Sequence, residues 1–156
     1  MLDYLRRHHV MTLATTGAEG PAAAAVFYAS RGLDLCFLSA PLTLHCRNIA
    51  TDPRVAVTIQ GDCTEWSDIK GIQMQGTARR LEGDAANDAR QLYATRFPDL
   101  MVSRGANGAL ARALLRIDWY WVTVTHLRFI DNSRGFSHRD EWSREEFVRA
   151  VPSASL

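Results

Sequence analysis

The sequence lacks most of the features that mark a specialised protein class. It has no run of like charge, and 18 Lys and Arg against 17 Asp and Glu leave a formal net charge of +1. No apolar stretch of 18 residues occurs, and the first residues lack the basic and apolar regions of a signal peptide. We therefore expect a cytoplasmic protein with no nucleic acid and no membrane among its partners.

Cysteine motifs are also absent. The three cysteines, Cys36, Cys46 and Cys63, form no CxxC pair and no Cys/His metal spacing, so we expect free thiols and no metal. Neither GxSxG nor HExxH occurs, which argues against the hydrolases and metalloenzymes that use them. Cys46 follows His45 near a predicted helix start, which can lower a thiol pKa, but adjacent helical side chains point apart. Cys46 is therefore only a weak candidate nucleophile.

The composition that remains is that of an ordinary globular chain. With 156 residues, 47% of them hydrophobic and 22% charged, the chain is long enough to bury a core, and we expect a single domain over 1–156. Its most informative stretch is 33–59. Residues 33–38 alternate as in a strand, 43–50 are helical in character with Thr43 as a candidate N-cap, and 55–59 resume a strand after a stop at Pro53.

The junction between this strand and this helix carries hydrogen-bonding side chains. A helix N-terminus presents unpaired backbone N–H groups and a positive dipole, which together suit an anion such as a phosphate. The nearby polar residues are Ser39, Thr43, His45, Arg47 and Asn48. The alternative is an ordinary capped turn with solvated side chains.

The other segments fit a mainly β protein. A short helix precedes a hairpin of strands over 10–16 and 21–30, and a long strand begins at Lys70. A helix with one apolar stripe follows Gly83, a last long strand covers 119–130, and Ser143 with Glu146 forms a capping box. Lys70 is either a second cation for a phosphate or a side chain at a strand edge.

Several of these segments resemble the pyridoxamine 5'-phosphate oxidase-like family of FMN-binding split β-barrels, and in particular a small bacterial branch of it. The matching segments are Ser39, the stretch 43–48, Asp52-Pro53-Arg54-Val55, the strand 71–81, and Asp131 and Asn132 followed by Gly135 and Phe136. The resemblance implies a mostly β (α+β) fold, a split barrel of about six antiparallel strands with flanking helices. It also implies a two-fold homodimer with FMN at the interface.

By this resemblance, the FMN phosphate is held by Ser39, Thr43, His45, Arg47 and Lys70. The isoalloxazine ring is expected against the second and third strands, around Phe27 and Tyr28. One departure stands out, because Leu44 and His45 occupy two places that are usually basic in the family. Arg and Lys carry permanent charge, whereas a neutral histidine donates one hydrogen bond.

The C-terminal segment offers a weaker substrate site, formed by Arg134, Phe136 and His138; the alternative is a solvated turn. A flavin-dependent oxidoreductase acting on a small molecule is the first functional hypothesis, since the flavin itself supplies the redox chemistry. The alternative is a non-catalytic dimer that binds flavin, haem or another planar ligand, or a barrel that has lost its cofactor. The stretch 99–116 is either a loop over the site or an insertion.

Overall fold

The computed structural model describes residues 1–99 and 116–150, which form seven strands and four α-helices. The strands are β1 (Val10–Gly17), β2 (Gly20–Arg31), β3 (Asp34–Ser39), β4 (Arg54–Gln60), β5 (Lys70–Leu81), β6 (Asp118–Asp131) and β7 (Arg139–Ser143). The helices are α1 (Leu2–Arg7), α2 (Leu44–Thr51), α3 (Gly83–Arg96) and α4 (Arg144–Ala150). Two 3-10 turns, Trp66–Asp68 and Asn132–Arg134, lie beside each other.

The strands form one antiparallel sheet that closes on itself. Its order is β3-β2-β1-β4-β5-β6-β7, and β3 also pairs with β6, so the first six strands make a closed barrel. The seventh, β7, pairs with the second half of β6. Closure removes the unpaired strand edges that an open sheet would expose. The predicted mostly β split-barrel class with six antiparallel strands and flanking helices is confirmed. The seventh strand, β7, was not predicted from the sequence.

Alternation along the strands fills the barrel. On β5, Ile72, Met74 and Ala78 are buried, while Gln73 and Gln75 between them are exposed, as their period-2 pattern predicts. The same alternation on the other strands builds an interior of aliphatic and aromatic side chains. Its largest fully buried members include Tyr28, Phe37, Met11, Leu13, Leu35, Ile59 and Val122. The outside of the barrel is therefore available for helices and for a site.

Each helix covers a different part of the barrel. Helix α2 contacts β1 and β2 and buries Cys46, Asn48 and Ile49. Helix α3 lies outside β2, β3 and β6, where the predicted apolar stripe buries Ala89 and Tyr93. The predicted capping box at α4 is confirmed, because the Ser143 N–H donates to Glu146 Oε2 at 2.8 Å. No helix within the described ranges is long and apolar enough to cross a membrane.

The half-buried end of β3 is tied to the last helix by a bidentate ion pair. Arg144 Nη2 donates to Asp34 Oδ2 at 3.0 Å, and Asp34 Oδ1 also accepts the Val124 N–H at 3.1 Å. The carboxylate is 13% exposed, so removal of Arg144 would leave a largely buried charge without its ion-pair partner. This pair fixes α4 against β6.

Candidate functional site

The first turn of α2 is free to take an anion. Thr43 lies at the N-cap as predicted, but its hydroxyl donates backwards to the Ala40 carbonyl at 2.9 Å. Within residues 1–99 and 116–150, no side chain therefore caps the backbone N–H groups of the first turn. Uncapped amides at a helix N-terminus are the groups that bind phosphate in many proteins.

Three predicted residues come together beside this turn. Ser39 Oγ lies 2.7 Å from His45 Nε2 and 3.2 Å from Thr43 Oγ1, and Thr43 Oγ1 lies 3.1 Å from His45 Nε2. Ser39 ends β3 and is largely buried, while the other two precede or begin α2. We call Ser39, Thr43 and His45 the α2 cluster. It holds hydrogen-bonding groups but no permanent charge.

A thiol lies beside the α2 cluster, since Cys46 follows His45 on α2 and is buried. The polar groups that act on its pKa by hydrogen bonding are those of His45, Thr43, Tyr120 and Ser39. Burial alone would raise the thiol pKa, but these hydrogen bonds outweigh it and lower the pKa to about 7. The same contact, together with burial, raises the pKa of Tyr120.

This lowered pKa predicts a pH-dependent stability. Because the folded-state pKa of Cys46 lies below its ordinary value of 9.0, the thiolate adds stability at high pH. That contribution is fully present above about pH 9 and is lost as the pH falls through about 7. Urea unfolding should therefore show a smaller rise in unfolding free energy from pH 7 to 9 in Cys46→Ala than in the wild type. Cys36→Ala, which removes a buried thiol of raised pKa, is the matched control; equal slopes in all three proteins would refute the assignment.

The other two polar residues of α2 have different surroundings. Arg47 is the cation nearest in sequence to the α2 cluster. It is exposed, donates to the Leu42 carbonyl at 2.6 Å and lies 3.9 Å from Glu19. Asn48 is buried, and its Nδ2 donates to Thr15 Oγ1 at 3.1 Å. Asn48 therefore joins α2 to β1.

Lys70 does not lie with the α2 cluster of its own chain. It begins β5 as predicted, where its Nζ is 2.8 Å from Asp131 Oδ2. Asp131 ends β6, whereas Ser39 pairs with Asp118 at the start of β6. At about 3.3 Å per residue the two ends are on the order of 40 Å apart along the strand. Within one chain, Lys70 and Ser39 cannot hold the same phosphate.

The two aromatic residues predicted beside the isoalloxazine ring, Phe27 and Tyr28, lie on opposite faces of β2. Tyr28 is 1% exposed inside the barrel, and its hydroxyl donates to the Leu5 carbonyl at 2.7 Å. Phe27 is 55% exposed on the outside, with Phe97 edge-on to it at 5.7 Å. Since Tyr28 pairs with Phe37 on β3, Phe27 lies one residue from the level of Ser39. Only Phe27 is placed to contact a ligand outside the barrel.

The C-terminal candidates follow the end of β6, beside Lys70 of β5. Arg134 Nη1 donates to Asp140 Oδ2 at 3.0 Å, and His138 Nε2 is 3.5 Å from the same oxygen. Phe136 is 80% exposed and packs edge-on against Trp66 at 5.3 Å. These three residues share one loop region, separate from the α2 cluster of the same chain.

A cavity lies on the outer face of the barrel, at a place that the sequence did not indicate. It is a groove of about 630 Å³ crossing β1, β4, β5, β6 and β7. Its lining includes Thr12, Ala14, Ala56, Thr58, Gln73, Gln75, His126, Arg128, Trp142 and Glu146. We call it the outer groove. Among the described residues that line it, His126 is the only histidine. Sequence reasoning missed it because a lone histidine on a long strand carries no motif.

The outer groove is not a site for a bare metal ion. Among residues 1–99 and 116–150, no group of three or more His, Cys, Asp or Glu side chains is placed to hold one. The small side chains of Thr12 and Ala14 on β1 and of Ala56 and Thr58 on β4 instead make a flat floor across two paired strands. A flat floor of this size suits a planar organic molecule.

Comparisons with known proteins agree with this fold. The family model described as pyridoxamine 5'-phosphate oxidase matches residues 1–131. A UPF0306 protein of Enterobacter sp. (strain 638) is 32% identical over 145 residues, covering 92% of this chain and 94% of the relative. A UPF0306 protein of Photorhabdus laumondii is 29% identical over 143 residues, covering 90% and 92%.

Solved structures share the fold at lower identity. A haem-binding protein from Mycobacterium smegmatis matches with a TM-score of 0.72 and 22% identity; the match covers 95% of this chain but only 60% of that one. The haem storage protein HutZ from Vibrio cholerae matches with a TM-score of 0.64 and 16% identity, covering 78% and 85%. The family-model match over most of the chain and the UPF0306 relatives show that this protein belongs to the pyridoxamine 5'-phosphate oxidase family, in its UPF0306 branch.

Proposed function

We propose that the protein binds FMN, with the flavin phosphate at the first turn of α2, and that it acts as a flavin-dependent oxidoreductase on a small molecule. The observation that carries this proposal is the uncapped N-terminus of α2 beside the α2 cluster. Thr43 donates its proton to the Ala40 carbonyl instead of accepting one from the first-turn amides. Those amides, together with Ser39 and His45, remain as donors for a phosphate.

The donor set fits a phosphate, although its charge differs from that of a Ser-Arg-Lys segment. His45 offers the phosphate a hydrogen bond in place of the permanent charge of Arg or Lys. Arg47, one turn along α2, is exposed and supplies the permanent charge. Phe27 supplies an exposed aromatic surface near the level of Ser39, where the isoalloxazine is expected.

When bound, FMN would supply the hydride chemistry, and the chain would orient it and exclude water. Lys70 and the loop with Arg134 and His138 lie too far along β6 to touch the same flavin in one chain. In a two-fold homodimer, a second copy would bring them to it. The outward-facing Ala23 and Ala25 of β2 leave the flat, small-residue surface that such close packing needs.

Retention of FMN tests the proposal. The purified protein is mixed with FMN, desalted and examined for oxidised-flavin absorbance, and the Kd is measured by flavin fluorescence. His45→Ala should raise the Kd about tenfold, since a hydrogen bond to a charged group contributes about 1.5–3 kcal/mol. His126→Ala, on the outer face of β6 away from the α2 cluster, is the matched control and should bind FMN like the wild type.

Two results would end this assignment: a wild type that keeps no FMN, or equal retention by wild type and His45→Ala. Adding NAD(P)H to the loaded protein then tests the oxidoreductase step, because an enzyme's flavin should bleach and reoxidise in air. Light scattering on the same sample measures the expected dimer mass.

A second candidate is haem binding, which the flat floor and the volume of the outer groove favour. Two proteins of the same fold are described as haem-binding or haem storage proteins. Haem is planar and needs a broad apolar surface more than a phosphate site. Titration with haemin should give a Soret band that saturates at one haem per chain.

A further inference from the structure

The pairing between β5 and β6, two of the strands that the outer groove crosses, is irregular at one point. Gln75 of β5 pairs with His126 of β6, but the next residue, Gly76, pairs with Val124, so Thr125 has no partner opposite it. Such a bulge turns side chains away from strict alternation and is common beside functional sites. Thr125 and His126 are consequently both exposed on the outer face.

Gly76 makes this irregularity possible. A Cβ atom at this position would lie 2.2 Å from the Thr123 carbonyl oxygen and 3.0 Å from its carbon. Only glycine allows the two backbones to approach so closely. Gly76 on β5 therefore allows the bulge that places His126 of β6 in the outer groove.

The hydrogen bonds around His126 determine which ring nitrogen is free. The Thr125 hydroxyl donates its single proton to the Gln75 carbonyl at 3.2 Å. His126 Nδ1 lies 3.2 Å from the same hydroxyl oxygen, which can only accept, so Nδ1 carries the proton. In the neutral ring, Nε2 then has a free lone pair. An oxygen acceptor at Nδ1 is the usual arrangement of a metal-binding histidine.

A single imidazole can hold a metal only if the metal brings its other ligands with it. The described residues offer no second or third protein ligand near His126 that would complete a site for a bare ion. Iron in a tetrapyrrole has its four equatorial positions filled and takes one axial nitrogen. Ala14, Ala56 and the indole of Trp142 give the macrocycle apolar contacts.

We propose that His126 Nε2 is the axial ligand of haem iron bound in the outer groove, with Thr125 as the residue that orients it. This inference rests on the haem-binding candidate function. It concerns a place separate from the proposed flavin site, because His126 lies eight residues along β6 from Asp118, the partner of Ser39. At about 3.3 Å per residue this is roughly 26 Å.

Haemin titration of the wild type, His126→Gly and His9→Ala tests the ligand. We expect the wild type and His9→Ala to give the same Soret band and the ferric EPR signal of a histidine-ligated haem. His126→Gly should bind haemin about tenfold more weakly and lose that signal. Free imidazole should then restore the wild-type spectrum in His126→Gly, which a structural role of His126 would not predict. Because His126 is exposed, the variant is expected to fold, as circular dichroism will show.

The outcomes separate the ligand from the function. If the wild type binds haemin and His126→Gly shows the same spectrum and affinity, the axial assignment is wrong while haem binding stands. If the wild type binds no haemin, both are wrong. Thr125→Val adds a readout of orientation: the Soret band should shift while haemin remains bound, and an unchanged spectrum would remove Thr125 from the proposal.

Discussion

Replacing Gly76 with alanine is expected to lower the free energy of unfolding by about 3 kcal/mol or more, since an overpacked contact with rigid backbone belongs at the costly end of such changes. The new Cβ would meet the Thr123 carbonyl at 2.2 Å, and neither atom belongs to a side chain that can rotate away. Relief requires β5 and β6 to separate. Urea unfolding followed by circular dichroism measures the loss.

Gly61→Ala is the matched control, because its Cβ would lie 3.4 Å from His8 Nε2, an ordinary contact. It should change the unfolding free energy by about 0.5 kcal/mol or less. If Gly76→Ala were as stable as the control, the close approach of the two strands would be disproved. A folded Gly76→Ala protein with reduced haemin affinity would connect the bulge with the placement of His126.

Replacing Phe37 with alanine should lower the unfolding free energy by about 3–5 kcal/mol, the range for buried aromatic residues. Phe37 is 0% exposed and stacks on Tyr120 with ring centroids 5.0 Å apart. Its removal leaves a cavity beside the α2 cluster, because its ring also lies 6.3 Å from that of His45. Thermal and urea unfolding measure the change in stability.

Phe136→Ala removes the same side chain from an 80% exposed position and should cost about 0.5 kcal/mol or less. A similar loss in both variants would mean that Phe37 is not in a packed core. Labelling of Cys46 by a thiol reagent supplies a second readout. It should be faster in Phe37→Ala, because loss of the Phe37 ring loosens Tyr120, which neighbours the buried thiol.

The two proposed ligands need not compete. The flavin proposal depends on the amides and polar side chains at the end of β3, and the haem proposal depends on His126 across the barrel surface. His45→Ala should therefore affect FMN alone, and His126→Gly should affect haemin alone. A variant that weakens both ligands equally would indicate one shared groove instead of two sites.

Periodicity determined the local structure well. The alternation in 70–81 and the apolar stripe after Gly83 predicted a strand and a helix that the structure contains. The capping box at Ser143 was also readable, because its two hydrogen bonds join residues three apart. The β7 strand was missed because its five residues, RDEWS, are polar and carry no apolar alternation.

The sequence by itself therefore determined the class of fold, the family, and the clustering of Ser39, Thr43 and His45 within seven residues of chain. Only the tertiary structure decided that Lys70 lies at the far end of β6, that Tyr28 faces inward and that the Cys46 thiol lies buried beside the α2 cluster. It alone revealed His126 in the outer groove. The physical reason is that local patterns encode hydrogen bonds and faces over a few residues, whereas register, barrel closure and a bulge depend on strands far apart in sequence.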